Sequence, residues 1–383
     1  MTGRAWPAVR LGNYCAKIGS GSTPRGGESV YQESGVSFIR SQNVYNGHFA
    51  MDGLAYLDDE HADQLKGVTV ESGDLLLNIT GDSVARSCRV PDEVLPARVN
   101  QHVAIIRPRS KEFDFRFVGY FFISPFMQDT MLSLAGSGGT RKALTKDMIE
   151  RFEVPRPPRP LQERIADILS AYDDLIENNR RRMALLEAAA RQLYREWFVR
   201  LRFPGHEHSR ITNGVPEGWE SLPLGDRVTL NYGKALKAED RVEGHCPVYG
   251  SSGIVGTHEK ALAAAPGIVV GRKGNVGSVY WCPKDYWPID TVYFIDAEAS
   301  NLWLCYALQH MHFISTDVAV PGLNRDFAYS RPLLVPEPRL VRDFLEAAVP
   351  LHEQITRLDE MNDKLRAARD LLLPRLMSGE IAV

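Results

Sequence analysis

FEVPRPPRPLQERIADILSAYDDLIENNRRRMALLEAAARQLYREWF, residues 152–198, is where the chain changes its period. Up to Val154-Pro155, short apolar segments are broken by Gly, Pro, Asn and Asp, the pattern of strands and turns. Beyond it, apolar residues recur at helical spacing. One column at seven-residue steps is Ile165, Tyr172, Asn179, Leu186 and Leu193, and its neighbour is Leu169, Ile176, Met183, Ala190 and Trp197. Those are the two columns of a coiled-coil seam. Pro157 and Pro158 precede the helix as a stiff linker, because proline is favoured at a helix start and costly in its interior. A helix of roughly 38 residues extends about 57 Å, beyond the width of one ordinary domain, so part of its stripe must find a partner outside the preceding domain.

Working outward, the same plan occurs twice. A second Val-Pro, Val335-Pro336, opens a second helical stretch with columns Phe344, Leu351, Leu358, Leu365, Leu372 and Ala348, Ile355, Asn362, Arg369, Leu376. These superpose on the first set with a constant shift of 179, Ile165 onto Phe344 and Leu169 onto Ala348. Upstream, Trp6, Leu11 and Gly12 return as Trp219, Leu224 and Gly225. Each copy then carries a β-rich stretch, including GDLLLNITGDS (residues 73–83) and PGIVVGRKGNVGSVYW (residues 266–281). An apolar helical segment follows, over 117–134 and 302–313. Leu144 and Asp147 then lead to Val154-Pro155 as Leu323 and Asp326 lead to Val335-Pro336. The expected fold is α+β with a pseudo-two-fold internal repeat: a β-rich domain over 1–155, a long helix over 156–200, a linker over 201–218, a second β-rich domain over 219–336, and a second long helix with a tail over 337–383. A two-fold axis crossing the helices makes them an antiparallel coiled coil that separates the two domains. The helix pair is then expected to act as a ruler between them. Asn179 and Asn362 lie mid-column, where an Asn either fixes register or sits exposed in an imperfect heptad, and both readings stay open.

The composition, 44% hydrophobic and 24% charged over 383 residues, is that of a globular protein with room for two or three domains. The start MTGRAWPAVRLGNY lacks a continuous apolar run, and no stretch reaches the ~18 apolar residues of a membrane span. A cytoplasmic location with no membrane contact is expected. Cys15, Cys88, Cys246, Cys282 and Cys305 form no C-x-x-C pair, so they read as packed thiols rather than a disulfide framework or a zinc site. A formal charge of -3 argues against coating nucleic acid nonspecifically, which needs many unopposed Lys and Arg. A recognition protein of this charge is expected to rely on a partner for part of its grip on phosphates.

Catalytic signatures are missing. An adenine methyltransferase needs an Asp/Asn-Pro-Pro-aromatic loop, and only Pro157-Pro158 within RPPRP comes near it. GSGGTRK, residues 136–142, lacks the glycine before the lysine and the Ser/Thr after it that a phosphate loop requires. GRKGNVG, residues 271–277, lacks dinucleotide spacing and lies among strands. His206 with His208, or His310 with His312, has no third ligand at a diagnostic spacing, so no metal site is assigned.

The same glycine-rich loops suit DNA, since glycine lets backbone approach phosphates while polar side chains read base edges. Candidates in the first domain are Ser22, Thr23 and Arg25, then Arg40, Gln42 and Asn43, then Asn100, Gln101 and His102, and Thr140, Arg141 and Lys142. The second domain offers Lys234 and Lys237, Tyr249, Ser251 and Ser252, Arg272, Lys273 and Asn275, and Asn324 and Arg325. Any one of them alone reads more simply as an exposed loop residue; their clustering favours the functional reading.

At this point the chain resembles a known family, the specificity subunits of type I restriction-modification systems. The stretch at 152–198 looks like their central conserved region, and PLLVPEPRL through LLLPRLMSGEIAV like the distal one. GSTPRGGESVYQESGVSFIRSQNV, and PVYGSSGIVG with GRKGNVGSVYW, look like two differing target-recognition domains. The resemblance implies binding of a split double-stranded DNA site, each domain reading one half across an unread spacer. It implies assembly with two methyltransferase subunits, which use S-adenosylmethionine to modify adenine at N6, and with motor-nuclease subunits that use ATP and Mg. No cofactor is then expected in this chain. YQESGVSFIRSQNV has no evident counterpart in the second domain, so a non-palindromic site is expected. Two alternatives stay open from the residues themselves: a stand-alone coiled-coil DNA-binding regulator, and the recognition half of an enzyme with a different, separately encoded chemistry.

Overall fold

The computed structural model of the chain describes residues 6–136, 142–311, 313 and 322–383. They fall into two compact units: unit 1 takes residues 1–177 and 362–383, and unit 2 takes residues 178–361. The division runs through both long helices, so each unit holds one β-rich body and a part of each helix. No helix among the described residues is long and apolar enough to cross a membrane.

The main strands of unit 1 are β1 (Ala8–Arg10), β2 (Cys15–Ser20), β3 (Val36–Ile39), β4 (Ala55–Leu57), β5 (Thr69–Val70), β6 (Leu75–Asn78), β7 (Ser87–Arg89), β8 (Ala97–Val99), β9 (Val103–Pro108) and β10 (Glu153–Pro155). Those of unit 2 are β11 (Glu220–Pro223), β12 (Asn231–Tyr232), β13 (Cys246–Gly250), β14 (Gly253–His258), β15 (Gly267–Gly271), β16 (Val279–Cys282), β17 (Trp287–Pro288), β18 (Val292–Ile295) and β19 (Pro332–Val335). In unit 1 a fully antiparallel sheet runs β2-β9-β6-β7, and in unit 2 an equivalent sheet runs β12-β18-β15-β16. A second sheet runs β4-β3-β8-β5 in unit 1 and β14-β13-β17 in unit 2. In both, one pair is parallel, β3 with β8 and β13 with β17. The topology therefore gives YQESGVSFIRSQNV the counterpart that its sequence hides: its strand β3 stands where unit 2 has β13. Strand pairing needs only apolar side chains of about the right size on the buried face, so the letters diverge while the register survives.

The repeated phrases have physical causes. Leu11 and Leu224 are fully buried. Leu11 N donates to Phe152 O and Leu224 N to Arg331 O, each at 2.9 Å, which seats β1 on β10 and β11 on β19. A Cβ on Gly12 would stand 2.9 Å from Glu150 Cβ, and one on Gly225 would stand 2.9 Å from Tyr329 Cβ. Only glycine lets the entering chain pass so close to the short helix that precedes the exit strand. That helix is α3 (Lys146–Glu150) in unit 1 and α6 (Arg325–Tyr329) in unit 2. Thr145 caps the first through its hydroxyl, and Asn324 caps the second by accepting from Asp326 N and Phe327 N. Asp147 and Asp326 sit in the first turns, where a carboxylate complements the helix dipole.

The apolar segment over 117–134 is two helices, α1 (Phe115–Ile123) and α2 (Pro125–Gly136). Pro125 cannot continue α1 and begins α2 instead. The counterpart in unit 2 is one helix, α5 (Leu302–His310). The long helices are α4 (Arg159–Tyr194), closed by a π-helical turn over Arg195–Val199, and α7 (Pro338–Ser378). No position in the four heptad columns is exposed, whereas the intervening charged positions largely are. In unit 1, Ile165, Ala166 and Leu169 share one core with Leu373, Leu376 and Met377, while Asp173, further along α4, pairs with Arg369, further back along α7. In unit 2, Phe344 packs on Tyr194 and Trp197 at 6.0 and 6.2 Å between ring centroids. Both pairings run antiparallel. Gln162, buried, locks the start of α4 to its body: it accepts from Asp114 N at 2.9 Å and donates to Glu112 O and Pro157 O.

Candidate nucleic-acid interface

In unit 1 a continuous set of bonds draws the loops after β2, β3, β6 and β8 onto one rim. Ser22 N donates to Val99 O at 3.0 Å, and the Thr23 hydroxyl bonds Gln101. The chain passes Val99 and Asn100 so closely at Gly21 that an added Cβ would lie 2.0 Å from Val99 O. Gln101 bonds the His102 ring at 3.0 Å, and the other ring nitrogen meets the Thr80 hydroxyl at 2.7 Å. Gly81 N donates to Lys142 O, and buried Asn78 donates to Ser41 O. Six expected residues, Ser22, Thr23, Gln42, Gln101, His102 and Lys142, are therefore exposed on neighbouring loops. Between them lies an open concavity of about 470 Å³ lined by Ser41, Gln42, Tyr45, Thr80, Asp82, Arg86 and His102, among others. The Arg86 guanidinium lies 4.8 Å above the Tyr45 ring, which also stacks on His48 at 5.0 Å. Tyr45, Thr80 and Arg86 were not singled out from sequence. Arg86 lies three residues past the GDLLLNITGDS loop, and that proximity is the only signal in the sequence that could have marked it.

Unit 2 builds its rim differently. β15 and β16 are joined by GRKGNVG, a tight turn in which Gly271 N donates to Ser278 O and Gly277 N to Gly271 O. Gly274 and Gly277 adopt left-handed φ of 75° and 78°, a reason for glycine that has nothing to do with a dinucleotide. Ser251 holds this turn: its hydroxyl accepts from Asn275 N, and its carbonyl accepts from Ser278 Oγ and Tyr280 Oη. Arg272 O accepts from Leu323 N at 2.8 Å, which brings residues 322–325 alongside. The Arg272 guanidinium then lies 5.1 Å from the Tyr232 ring and 5.8 Å from Tyr293, and Arg325 lies 5.1 Å from Tyr232 and 5.9 Å from Tyr329. Tyr232 is 52% exposed. Burial pushes the Tyr293 hydroxyl up to about 12, with Arg272 and Arg325 pulling the other way, so the phenol stays neutral. Lys234 projects from the adjoining turn, whose backbone is pinned by Lys234 N to Pro288 O and by Trp287 Nε1 to Lys234 O.

Other candidates hold the fold. Asn43 is fully buried, accepting from Arg40 N and donating to Ala50 O and Asp52 O. Asn100 accepts from His102 N, Asn324 is the helix cap, and Tyr249 lies in a buried cluster with Tyr286. Arg40 donates to Gly53 O and pairs with Glu28. Lys237 pairs with Glu239, while Arg25, Ser252 and Lys273 are exposed. Thr140, Arg141 and His312 lie outside the described residues. Cys15, Cys88 and Cys305 are buried thiols that desolvation pushes up to about 12, well away from the thiolate form.

Comparison with known proteins points the same way. Residues 4–188 match the family model described as "Type I restriction modification DNA specificity domain". The chain is similar to the "Type I restriction enzyme MjaIX specificity subunit" of Methanocaldococcus jannaschii, 23% identical over 322 residues, covering 75% of this chain and 74% of that protein. It is also similar to the "Type I restriction enzyme HindI specificity subunit" of Haemophilus influenzae, 21% identical over 434 residues, covering 90% and 94%. Among solved structures, the S subunit of a type I restriction-modification system from M. genitalium superposes with a TM-score of 0.57 at 16% identity, over 98% of this chain and 97% of that one. At that identity the likeness is one of fold.

Proposed function

We propose that the chain is a DNA-specificity subunit of the type I restriction-modification kind and that it reads a split, non-palindromic DNA site, one half through each unit. Chains of this family bind DNA and assemble with methyltransferase and restriction subunits that carry the catalysis; this chain is the non-catalytic recognition subunit. In the finer reading, two methyltransferase subunits use S-adenosylmethionine to modify adenine at N6, and ATP- and Mg-dependent motor-nuclease subunits cut unmodified DNA. Flipping the base and transferring the methyl group belong to those partners. The domain spans 1–155 and 219–336 are proposed as the two readers and 156–200 and 337–383 as the conserved helices.

One observation carries this reading: two bodies built on an equivalent four-stranded antiparallel sheet present unlike rims, a polar concavity lined by Gln42, His102 and Arg86 in one and a guanidinium-tyrosine cluster in the other. Unlike rims on like frames are what two independent half-site readers require. The proposed contacts are Ser22, Thr23, Gln42, Gln101, His102, Lys142, Tyr45 and Arg86 in unit 1, and Tyr232, Lys234, Ser252, Arg272, Lys273, Asn275 and Arg325 in unit 2. Exchanging residues 219–335 for the equivalent span of a relative, in cells that also carry the methyltransferase partner, is expected to change one half of the methylated motif and leave the other intact. A change in both halves, read by methylome sequencing, would overturn the reading.

A further inference from the structure

Arg272 and Arg325 come from different segments of unit 2, the β15–β16 turn and the start of α6, yet both place their guanidinium carbon 5.1 Å from the centroid of one ring, Tyr232. Tyr293 lies 5.8 Å from Arg272 and Tyr329 5.9 Å from Arg325, and the Tyr232 and Tyr293 rings are themselves 5.1 Å apart, so the five side chains form one cluster. Among the described residues neither guanidinium is paired with a carboxylate, in contrast to Arg40, which is held by Glu28 and Gly53 O. A guanidinium held over an aromatic ring gives up part of its rotational freedom while N–H groups turned away from the ring stay open. Such a fork matches one base edge in the major groove, the O6 and N7 acceptors of guanine, with two parallel hydrogen bonds. A phosphate needs charge more than planarity, and a lysine on a flexible stem would serve it.

We infer that unit 2 reads guanine: Arg272 and Arg325 each donate a bidentate pair to a guanine edge, and Tyr232 is the positioning residue that holds both forks. The inference rests on the proposed role of unit 2 as a half-site reader and deepens it. Two groups at this distance from a shared ring are no more than about 10 Å apart, so the guanines they read lie within about three base pairs of each other at 3.4 Å per step, on either strand.

The test is selection from a randomised duplex library by the complex of this chain with its methyltransferase partner, repeated with Arg272→Ala, Arg272→Lys, Tyr232→Leu and Tyr232→Phe. The unaltered complex is expected to select a split site whose unit 2 half, identified by the domain exchange above, holds guanines within three base pairs. Arg272→Ala is expected to lose about 5- to 150-fold of the discrimination at one guanine, leaving other positions unchanged. Arg272→Lys keeps the charge and loses the fork, so it should relax that same position. Tyr232→Leu should relax both guanine positions, and Tyr232→Phe, which keeps the ring face, should restore the preference. A unit 2 half-site without guanine, or variants that weaken every position alike as a phosphate clamp would, overturns the inference while the split site stands. Selection of no split site at all would overturn the half-site reading together with it.

Discussion

The bodies of units 1 and 2 differ most where they face outward and least where they are joined to the long helices. At the joint, Leu11 N to Phe152 O is matched by Leu224 N to Arg331 O, and the approach of Gly12 to Glu150 is matched by that of Gly225 to Tyr329. On the rims nothing is matched residue for residue. The joint is constrained by sterics and backbone hydrogen bonds, which admit few side chains; the rim is constrained only by the ligand. Between these extremes lies the sheet interior, where the two units keep one topology and solve it with different chemistry. The strand pair β6–β9 opens with Asn78 opposite Val103, and β15–β18 with Gly271 opposite Val292. Counting back from those pairs, Asp74 of unit 1 stands where unit 2 has Gly267.

That substitution gives the largest effect expected on stability. Asp74 is fully buried and accepts from Arg107 Nε at 2.7 Å, Arg107 Nη2 at 2.8 Å and Glu71 N at 2.8 Å. Asp74→Ala strands a half-buried guanidinium; because Glu71 still pairs with it, the cost falls at the lower end of the range for a broken buried pair, about 3 kcal/mol. Gly267 lies against the ring of fully buried Tyr286, so a Cβ there would stand 2.2 Å from the hydroxyl. Gly267→Asp should therefore fail to transplant the unit 1 solution and should destabilise unit 2. Hydrogen exchange resolved by unit would check both. If Asp74→Ala left unit 1 as protected as before, the two interiors would not differ in the way described.

A smaller effect tests the joint itself. Gly12→Ala and Gly225→Ala both drive a Cβ to 2.9 Å from a helix side-chain Cβ, and overpacking of this kind costs about 1–3 kcal/mol. The two losses should be equal within error when each is measured by urea unfolding of the complete chain. A penalty at one joint only would show that the match is geometric and not energetic.

How much of this was legible in the letters follows from the same gradient. The Trp-x₄-Leu-Gly phrase and the Leu-x₂-Asp phrase before Val-Pro mark places at the joint where few residue types fit, and the heptad columns mark a spacing that the helix seam requires whatever residues fill it. The counterpart of β3 was not legible, because a buried strand asks only for apolar volume and Val36–Ile39 shares no letters in order with Cys246–Gly250. The rims were legible as clusters and not as individuals. Asn43 and Asn324 carry the right chemistry for reading bases and spend it on local backbone, as short polar side chains at turns and caps commonly do. Tyr232 was missed because a tyrosine between Asn and Gly reads as strand; only its two guanidinium neighbours, distant in sequence, mark it out.

The smallest expected effect separates the units by pH. Tyr120 Oη donates to Asp173 at 2.5 Å in unit 1, and in unit 2 Tyr306 Oη bonds His352 Nε2 at 2.8 Å. Asp173 and His352 are equivalent under the shift of 179, so one joint between body and long helix uses a carboxylate, supported by Arg369, and the other an imidazole. Burial holds the His352 imidazole below its ordinary value of 6.5, with Glu187 pulling it partly back. In the unfolded chain the ring binds a proton more readily than in the fold. Its contribution to stability is therefore complete above pH 6.5 and is lost as the pH falls from there through the lower folded value. Between pH 7.5 and 5.5 the part of α7 in unit 2 should lose exchange protection relative to the part in unit 1, where no imidazole stands at the equivalent position. His352→Gln keeps a polar partner for Tyr306 and cannot take up the proton, so it should flatten the difference. Equal loss in both units across that range, with or without the substitution, would show that the imidazole is not what distinguishes the two joints.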